Sequence, residues 1–370
     1  MKNRKQFLTI ALFSSMLLGF SLVSWFRTPD AFSDAERRSL TQRPKFTSSA
    51  LADGSFMKKF EDYSMDQFPL RDGFRSLKAM TGKYILSQKD NHGLYSVDEV
   101  LSKLEYPLNE RKVSASLGKL EQIYKTFLKD TDCRLYFSLI PDKNAFLAPM
   151  GGYPAMDYGV LTEKVRAGIS YAEYIDIADL LTLEDYYRTD QHWKQECIPD
   201  VADRIGAFMN PDSTGYLPDS FETKTLDTPF YGAYVGQSAL PFEADTIQYL
   251  TNPELEACYV TDYNSGTARE GSIYDYNKAS GKDPYEFFLS GATPLLVIEN
   301  PQASSDRELV VFRDSFGSSL IPLLTARYAK ITVVDLRYMR SNLLSQYVNF
   351  DEQDVLFLYS TLILNNTISM

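Results

Sequence analysis

The chain has 370 residues, 44% of them hydrophobic and 24% charged, which is enough for one large domain or two modest ones. Its formal net charge of -11 argues against a nucleic-acid partner, because such a partner requires a basic face. The 25 Tyr and 23 Phe residues favour either a sugar-binding surface or core packing with one polar end outward.

The first 30 residues are typical of a membrane-directed segment. Lys2, Arg4 and Lys5 precede the uncharged stretch 7–26, whose 20 residues are enough to span a bilayer as a helix. The basic flank predicts a cytoplasmic N-terminus and an uncleaved anchor. A cleaved signal peptide is the alternative, although the expected small-x-small cleavage site is missing. In either case we expect the rest of the protein outside the cytoplasm, as a single-pass membrane protein or, after cleavage, as a secreted one.

The cysteines and histidines argue against a metal site. Cys133, Cys197 and Cys258 are widely spaced and odd in number, which fits neither a disulfide framework nor a metal-binding pattern. His192 has no second His or Cys at ligand spacing, which argues against zinc. The sequence therefore predicts buried or free thiols, with one disulfide as the alternative, and no metal or cofactor.

Residues 31–95 are predicted to be a helical lead-in to the main domain. Apolar side chains recur at helical spacing over 56–87, and Pro69 is expected to divide this stretch into two helices. A turn at residues 91–95 leads into a short strand. A further amphipathic helix is predicted over 109–129.

Residues 96–370 read as an α/β domain. Dense apolar runs alternate with helical segments, and a run that is apolar throughout is typical of a strand buried on both faces. The alternation predicts a largely parallel sheet flanked by helices. The predicted strands are 133–140, 295–299, 308–312, 331–336 and 355–359, and the predicted helices are 161–174, 194–209 and 318–328.

The segment of about 211–290 interrupts this alternation. It is rich in Gly, Pro, Tyr, Asp and Asn, and it contains short alternating stretches at 246–250 and 257–262. We interpret it as a β-rich insertion that lies over one end of the sheet.

One histidine has a carboxylate two residues before it. The chain has two histidines, and only His192 is placed in this way, after Asp190. A carboxylate on one ring nitrogen fixes the tautomer and leaves the other nitrogen as an acceptor, as a serine-type acyl-transfer site requires. The spacing predicts a loop or extended segment, with a helix beginning at about Lys194. The alternative is a histidine that is only packed and hydrogen-bonded.

A serine at the end of a buried strand is the candidate nucleophile. Ser315 lies where the strand 308–312 passes into a helix, beside free backbone N–H groups at the positive end of the helix dipole. The N–H groups of Phe316 and Gly317 are the candidate oxyanion donors, and Asp314 is expected to cap or brace the turn. The alternative is that Asp314 and Ser315 form only a helix N-cap.

Several segments together resemble a known family. Tyr187-Arg188-Thr189-Asp190-Gln191-His192-Trp193 resembles the signature of the DHHW family of Gram-positive bacteria, with Gln191 in place of the first histidine. That family is similar to the alginate O-acetylation proteins, whose SGNH-hydrolase-like domain also places Asp-x-His before the serine. Further segments that resemble the family are Glu36–Leu40, Asp66–Arg71, Ile140–Asn144, Arg313–Phe316 and Asp335–Tyr338.

The resemblance implies an SGNH-hydrolase-like fold and specific roles in a site. It makes Ser315 the nucleophile, His192 the base and Asp190 the group that orients the base. It also places Arg337 and Tyr338 beside the site, where they would bind substrate or the oxyanion.

This chain departs from the pattern at three points. Gln191 replaces a histidine, at a position expected to point away from Asp190 and His192. Arg313 stands where many SGNH enzymes have Gly, and it is expected to crowd or charge the turn. The oxyanion-hole Asn of those enzymes has no assured equivalent, Asn365 and Asn366 being the candidates.

The function implied is extracytoplasmic, serine-dependent O-acyl transfer, in particular O-acetyl transfer, or ester hydrolysis on a cell-surface polysaccharide. The resemblance alone implies an acyl donor supplied by a membrane-bound O-acyltransferase. The alternative is a catalytically inactive protein that binds glycan or serves as a cell-envelope scaffold.

Overall fold

A computed structural model of the protein describes residues 2–367. The chain forms two compact units. The first comprises the chain up to His92 together with Val235–Pro241, and the second comprises Gly93–Tyr234 and the chain from Phe242 onward.

The helical elements of the described chain include several short π- and 3₁₀-helical segments. The π segments are Thr81–Ile85 and Tyr124–Leu128, and the 3₁₀ segments are Ala178–Leu180, Leu183–Asp185, Gln195–Cys197, Pro218–Ser220, Pro284–Phe287, Ile321–Arg327 and Ser341–Gln346. The α-helices are α1 (Lys2–Phe26), α2 (Ser48–Ala52), α3 (Ser55–Asp66), α4 (Arg71–Met80), α5 (Glu110–Ile123), α6 (Asn144–Gly151), α7 (Tyr158–Gly168), α8 (Pro199–Met209), α9 (Ala233–Ser238), α10 (Pro253–Glu256), α11 (Tyr276–Ala279), α12 (Gly317–Leu320) and α13 (Thr361–Asn366).

The strands form one large sheet and three small antiparallel pairs. They are β1 (Phe32–Ser33), β2 (Arg38–Ser39), β3 (Leu94–Val97), β4 (Val100–Lys103), β5 (Arg134–Ile140), β6 (Glu173–Tyr174), β7 (Glu222–Thr225), β8 (Gln248–Thr251), β9 (Tyr259–Asp262), β10 (Arg269–Gly271), β11 (Leu295–Glu299), β12 (Glu308–Arg313), β13 (Lys330–Val334) and β14 (Asp354–Ser360). The pairs are β1 with β2, β3 with β4, and β7 with β8.

The large sheet has eight strands in the order β10-β9-β11-β13-β12-β14-β5-β6. The pairings from β13 through β12, β14 and β5 to β6 are parallel, and those of β11, β9 and β10 are antiparallel. Helices flank this sheet, so the α/β class expected from the sequence is confirmed. All five apolar runs predicted as strands lie in the sheet.

One of the five predicted strands runs against the others. β11 pairs antiparallel with β13. Only residues 300–307 separate β11 from β12. A parallel return to the same sheet needs a crossover of a dozen or more residues, so this short link requires the antiparallel direction.

The core is divided between the two faces of the sheet. On β12, Leu309 and Val311 belong to one hydrophobic cluster, whereas Val310 and Phe312 belong to the other. Successive side chains of a strand point to opposite faces, so a run that is apolar throughout becomes buried on both sides. This is the physical basis on which the sequence indicated central strands.

The segment 211–290 differs from its expected position. β9 and β10 do not lie over one end of the sheet, because they extend it as antiparallel strands beyond β11. Without β9, β11 would be the edge strand, and the pairing with β9 satisfies backbone groups that would otherwise be unpaired. The β7–β8 pair is separate from the large sheet.

The predicted helices are present, but the one predicted over 161–174 is α7, which ends at Gly168, and residues 173–174 form strand β6 instead. α3 ends at Asp66 and α4 begins at Arg71, so the chain breaks at Pro69 as expected. After residue 194 the chain first makes the 3₁₀ turn Gln195–Cys197, and the α-helix starts at Pro199. The helix predicted over 318–328 is α12 followed by a 3₁₀ segment.

Within the first unit, two of the segments that carry the family resemblance are joined by ion pairs. Arg38 contacts Asp66 at 2.6 Å, and Arg71 contacts Glu36 at 2.5 Å. Helix α1 contains Arg4–Phe26, 23 residues that are long and apolar enough to cross a membrane, a property that anchors and signal sequences share.

Candidate active site

The loop that follows β6 brings Asp190 and His192 into direct contact. Asp190 Oδ1 lies 2.6 Å from His192 Nδ1 and accepts the His192 backbone N–H at 3.1 Å. Asp190 Oδ2 accepts the N–H of Ala233 at 2.8 Å. The Asp190 carboxylate is therefore fixed at both oxygens, and it holds the imidazole with Nδ1 as donor and Nε2 as acceptor.

Ser315 lies at the other ring nitrogen of His192. The Ser315 Oγ to His192 Nε2 distance is 2.7 Å. The carboxyl ends of the parallel strands form the edge at which α/β sheets usually carry sites, and Ser315 follows β12 there. The structure thus brings Asp190, His192 and Ser315 into one continuous chain of hydrogen bonds, in which Nε2 can accept the Ser315 proton.

A buried lysine holds the histidine loop in place. Lys143 Nζ donates to the carbonyl oxygens of Tyr187 and Asp190, each at 2.7 Å, and to that of Arg188 at 3.3 Å. Burial lowers the pKa of Lys143 to about 7, and the charges of Asp190 and Asp245 oppose that shift. These bonds tie three carbonyl groups of the loop to one buried amine. The sequence assigned Lys143 only to a motif.

Asp314 braces the turn that carries Ser315. Its Oδ1 accepts the N–H of Phe316 at 3.0 Å, and its Oδ2 accepts the N–H of Ser360 at 2.7 Å. Ser360 ends β14, so one buried carboxylate ties together the ends of two neighbouring strands. This agrees with the expected bracing role of Asp314.

The N–H groups expected to bind the oxyanion are occupied. The Phe316 N–H donates to the Asp314 carboxylate, and the Gly317 N–H donates to the Asp314 carbonyl at 3.1 Å. The turn closes on itself more tightly than the strand-to-helix pattern suggests, so both amides point into it. In the described part of the chain, the Ser315 N–H has no hydrogen-bond acceptor.

Gln191 does not point away from the site. Its Nε2 lies 3.3 Å from His192 Nε2, on the ring nitrogen that also contacts Ser315. The expectation assumed an extended segment, in which neighbouring side chains alternate, but residues 189–192 form a bend closed by a bridge between Tyr186 and Trp193. The Gln191 amide is therefore a polar group at the site.

Arg313 lies directly against the turn that carries Ser315, as expected, and donates to the Asp314 carbonyl at 3.3 Å. Its guanidinium is buried and donates to Gly291 O at 2.8 Å and to Ser318 Oγ at 3.0 Å, and it lies 3.8 Å from Asp335. Burial lowers the pKa of Arg313 from its usual value, and Asp335 opposes this. A Cβ on Gly317 would lie 2.9 Å from the Arg313 Cβ, so this close approach explains why the turn needs glycine.

Arg337 and Tyr338 contact Asp335 and each other. Arg337 donates through Nε to Asp335 Oδ1 at 2.9 Å and through its terminal nitrogen to Oδ2 at 2.6 Å. Its guanidinium lies 5.4 Å from the centroid of the Tyr338 ring. No described contact joins either residue to Ser315 or His192. Their assignment to substrate binding stays a prediction.

Asn365 and Asn366 are engaged elsewhere. Their side-chain amides donate to Glu105 Oε2 at 2.9 and 2.7 Å. Asn365 Oδ1 also accepts the N–H of Asn109. Neither amide is in a position to replace the oxyanion-hole asparagine.

Aromatic side chains enclose the imidazole. The Tyr285 ring stacks on His192 with centroids 3.9 Å apart and planes 3° apart, and Phe316 meets the imidazole edge-on at 4.9 Å. Trp193 Nε1 donates to the Phe316 carbonyl at 3.1 Å and to Ser319 Oγ at 2.9 Å, which ties the histidine loop to the serine turn. Tyr285 was missed at the level of sequence, because it lies in the insertion with no motif around it.

The described residues contain no cluster of three or more His, Cys, Asp or Glu that could hold a metal ion. Cys133, Cys197 and Cys258 are free thiols, as the spacing indicated. Burial is the main cause that raises the pKa of each thiol. None of the three has the depressed pKa of a reactive cysteine.

Comparison with known proteins supports the fold. No family model and no curated protein matches the sequence. Among solved structures, the chain is similar to a DHHW family protein from Eubacterium siraeum, with a TM-score of 0.60 and 18% identity over 75% of this chain and 94% of that one. It is also similar to Bacillus cereus PatB1, with a TM-score of 0.55 and 17% identity over 74% of this chain and 98% of that one.

A second PatB1 structure, which contains a sulfonyl adduct, matches at a TM-score of 0.55 and 18% identity over 74% of this chain and 96% of that one. The O-acetyltransferase domain of Pseudomonas putida AlgJ matches at a TM-score of 0.41 and 14% identity over 74% of this chain and 93% of that domain. The likeness to the DHHW structure and to PatB1 confirms the fold that the resemblance implied.

Proposed function

We propose that this protein is an extracytoplasmic, serine-dependent O-acyl transferase or esterase that acts on a cell-surface polysaccharide. The observation that carries the proposal is the unbroken contact from Asp190 through His192 to Ser315, with distances of 2.6 and 2.7 Å. Nucleophile, base and orienting carboxylate in this order form the arrangement that activates a serine hydroxyl at neutral pH.

The chemistry follows from the direction of these hydrogen bonds. Ser315 Oγ forms a bond to the acyl carbonyl carbon while its proton passes to His192 Nε2. The donor's ester C–O bond then breaks, and the leaving oxygen takes the proton from Nε2. A glycan hydroxyl or water next attacks the acyl-serine and gives its proton to Nε2, and Ser315 leaves with that proton. Asp190 remains ionised and stabilises the imidazolium in each half-reaction.

We propose that the oxyanion is stabilised by the Ser315 N–H and the Gln191 side-chain amide. The Phe316 and Gly317 amides are held by Asp314, so the Ser315 N–H is the backbone donor that remains. The Gln191 side-chain amide lies beside His192 Nε2 and can turn its N–H towards the developing charge. Donors of this kind stabilise the tetrahedral anion more strongly than the ground-state carbonyl.

The acyl group and the acceptor are proposed from the resemblance to the DHHW and alginate O-acetylation proteins. We propose acetyl as the acyl group, a polysaccharide hydroxyl as the acceptor and a membrane-bound O-acyltransferase as the source of the acyl group. Helix α1 would keep the protein at the membrane where that donor operates, with the main domain on the outer side. If α1 is cleaved as a signal sequence, the protein would act as a secreted enzyme.

The direct test is hydrolysis of p-nitrophenyl acetate by the purified full-length chain. We expect turnover in the parent protein and its loss in Ser315→Ala and in His192→Ala. His92→Asn is the matched control for the second histidine, because His92 is exposed and Asn tolerates its positive φ of 56°. Ser345→Ala is the control for an exposed serine. Turnover that survives both Ser315→Ala and His192→Ala would refute the proposal.

Covalent labelling detects a reactive serine even when turnover of the ester is too slow to measure. Phenylmethanesulfonyl fluoride should add one sulfonyl group per chain, on the peptide that contains Ser315, and the addition should fail in His192→Ala. A chain that binds polysaccharide, fails to label and hydrolyses no ester would favour the glycan-binding scaffold. Transfer of labelled acetyl to an oligosaccharide in preference to water would identify a transferase.

A further inference from the structure

Helix α4 turns two arginines inward and exposes large apolar side chains. A helix on the surface of a soluble protein normally does the reverse. Arg71 and Arg75 are on the inner side of α4, with 17% and 19% of their side chains exposed, and both contact Glu36. Its outer side carries large exposed apolar side chains, with Leu70 and Ile85 72% and 75% exposed, together with the exposed Asp72 and Lys78. We call the apolar part of this outer surface the α4 face, and it consists of Leu70, Phe74 and Leu77 with Tyr84, Ile85 and Leu86 of the following turn.

The side chains of the α4 face come from α4 and the segment that follows it. Phe74 and Leu77 are three residues apart on one side of α4, Leu70 is its N-cap, and Tyr84, Ile85 and Leu86 follow in the π segment Thr81–Ile85 and its C-cap. Surface helices normally turn such a stripe towards the core and their charges towards water. A contiguous exposed apolar stripe of this kind marks a surface that another apolar phase covers.

The α4 face adjoins helix α1 directly. The Phe20 ring of α1 lies 5.1 Å from Phe68 and 5.8 Å from Phe74, between ring centroids, and Phe68 and Phe74 lie 5.6 Å apart. A groove of about 420 Å³ between α1 and α3 is lined by further aromatic and apolar side chains of both helices. The three rings therefore join the apolar surface of α1 to that of α4.

The position of Phe20 along α1 sets a depth for this contact. Phe20 is six residues before the end of α1, about 9 Å along the helix axis, and 16 residues after Arg4, about 24 Å. The hydrocarbon core of a bilayer is about 30 Å thick. When α1 spans a membrane, Phe68 and Phe74 thus lie near the boundary between acyl chains and headgroups, the depth at which interfacial helices bind.

The charge of the surrounding segment suits an anionic surface. Residues 43–90 contain nine Lys and Arg against six Asp and Glu, a net charge of +3 in a chain whose total is -11. Among the exposed charged residues of α3 and α4, Lys58, Lys59 and Lys78 outnumber Glu61 and Asp72. Basic residues beside an apolar stripe are typical of helices that lie in the interface of anionic membranes.

We propose that the α4 face lies in the outer interface of an anionic phospholipid bilayer, beside α1 retained as a transmembrane helix. The first unit is then a membrane-associated module and not only a linker after the anchor. This inference is independent of the chemistry at Ser315, because it uses residues of the first unit alone.

Spin-label accessibility in lipid nanodiscs tests the proposal on the full-length chain. Single nitroxides are placed through Leu77→Cys or Ile85→Cys in a background of Cys133→Ser, Cys197→Ser and Cys258→Ser. Leu217→Cys and Tyr259→Cys are the matched controls, since both side chains are about two-thirds exposed in the second unit, at 67% and 68%. Intact mass establishes that α1 is present, and thermal unfolding establishes that each labelled variant is folded.

In discs of phosphatidylglycerol and phosphatidylcholine, we expect the ratio of O₂ to nickel-chelate collisions at positions 77 and 85 to exceed that of the controls several-fold. Ratios equal to those of the controls would overturn the proposal. Low collision rates with both reagents would also overturn it, because they indicate that a second copy of the chain covers the face. A purified membrane fraction that contains only chains without α1 would overturn the retained anchor. A ratio that does not fall in pure phosphatidylcholine discs would overturn the role of lipid charge.

Discussion

The substitution Lys143→Met examines how the histidine loop is held. Lys143 is fully buried and donates to three carbonyl groups of the loop, those of Tyr187, Arg188 and Asp190. Methionine occupies a similar volume but donates no hydrogen bond, so the loop loses all three. A displacement of about 1 Å in a catalytic group costs roughly 10²-fold in rate. We therefore expect kcat for p-nitrophenyl acetate to fall by about that factor.

The pH dependence of stability gives a second magnitude. The pKa of Lys143 falls from 10.5 to about 7 on folding, because burial disfavours the charged amine. Below pH 7 the amine is charged in both states and the cost of burying it is fully present. Between pH 7 and 10.5 the Lys143 amine is protonated in the unfolded chain but not in the folded one. The unfolded chain therefore binds one more proton, and the free energy of unfolding rises with pH. At about 1.36 kcal/mol per pH unit, the rise from pH 6 to 9 is roughly 2 to 3 kcal/mol.

Urea unfolding at pH 6, 7.5 and 9 gives the free energy of unfolding of the parent chain and of Lys143→Met. The parent value minus the variant value measures this rise. Lys129→Met is the matched control, because Lys129 is an exposed lysine at the end of a helical segment. The difference should grow with pH for Lys143→Met and stay flat for Lys129→Met. A flat difference for both variants would refute a lowered pKa at Lys143, and unchanged kcat would refute its positioning role.

Three further substitutions examine the surroundings of Ser315. Tyr285→Leu should lower kcat/KM about 2- to 30-fold, since the stacked ring stabilises the imidazolium that forms at His192 during the reaction. Tyr285→Phe should keep the parent kcat/KM, and equal behaviour of the two variants would contradict this. Gln191→Leu should lower kcat about 10- to 100-fold at unchanged KM if its amide stabilises the oxyanion, and a fully active variant would exclude that role. Asp314→Asn should reduce the free energy of unfolding by about 1 to 3 kcal/mol in urea, because one of two buried N–H groups loses its acceptor, and an unchanged midpoint would argue against the bracing.

The backbone arrangement was largely predictable because its signals are local. Apolar runs such as 308–312 and 355–359 are buried on both faces, and the period of a strand alone explains why. The break at Pro69 follows from the missing N–H of proline. The direction of β11 was less accessible, since it depends on the length of the link to β12.

The site was predictable in its members but not in its fine geometry. Asp190, His192 and Ser315 were named from residue type and spacing, and they lie in contact. The partners of the Phe316 and Gly317 amides could not be read in the same way. Whether an N–H faces a ligand or a neighbouring carboxylate depends on a few degrees of backbone rotation in the turn.

The sequence by itself determined an α/β sheet, an apolar N-terminal helix, and a histidine, carboxylate and serine suited to acyl transfer. These follow from patterns within about ten residues, which fix local conformation and chemical type. Only the tertiary structure decided that Lys143 holds the histidine loop, that Tyr285 stacks on His192 and that the Gln191 amide lies at the His192 ring nitrogen. Those contacts join residues far apart in the chain or depend on how a loop bends, and close packing of the whole domain sets them.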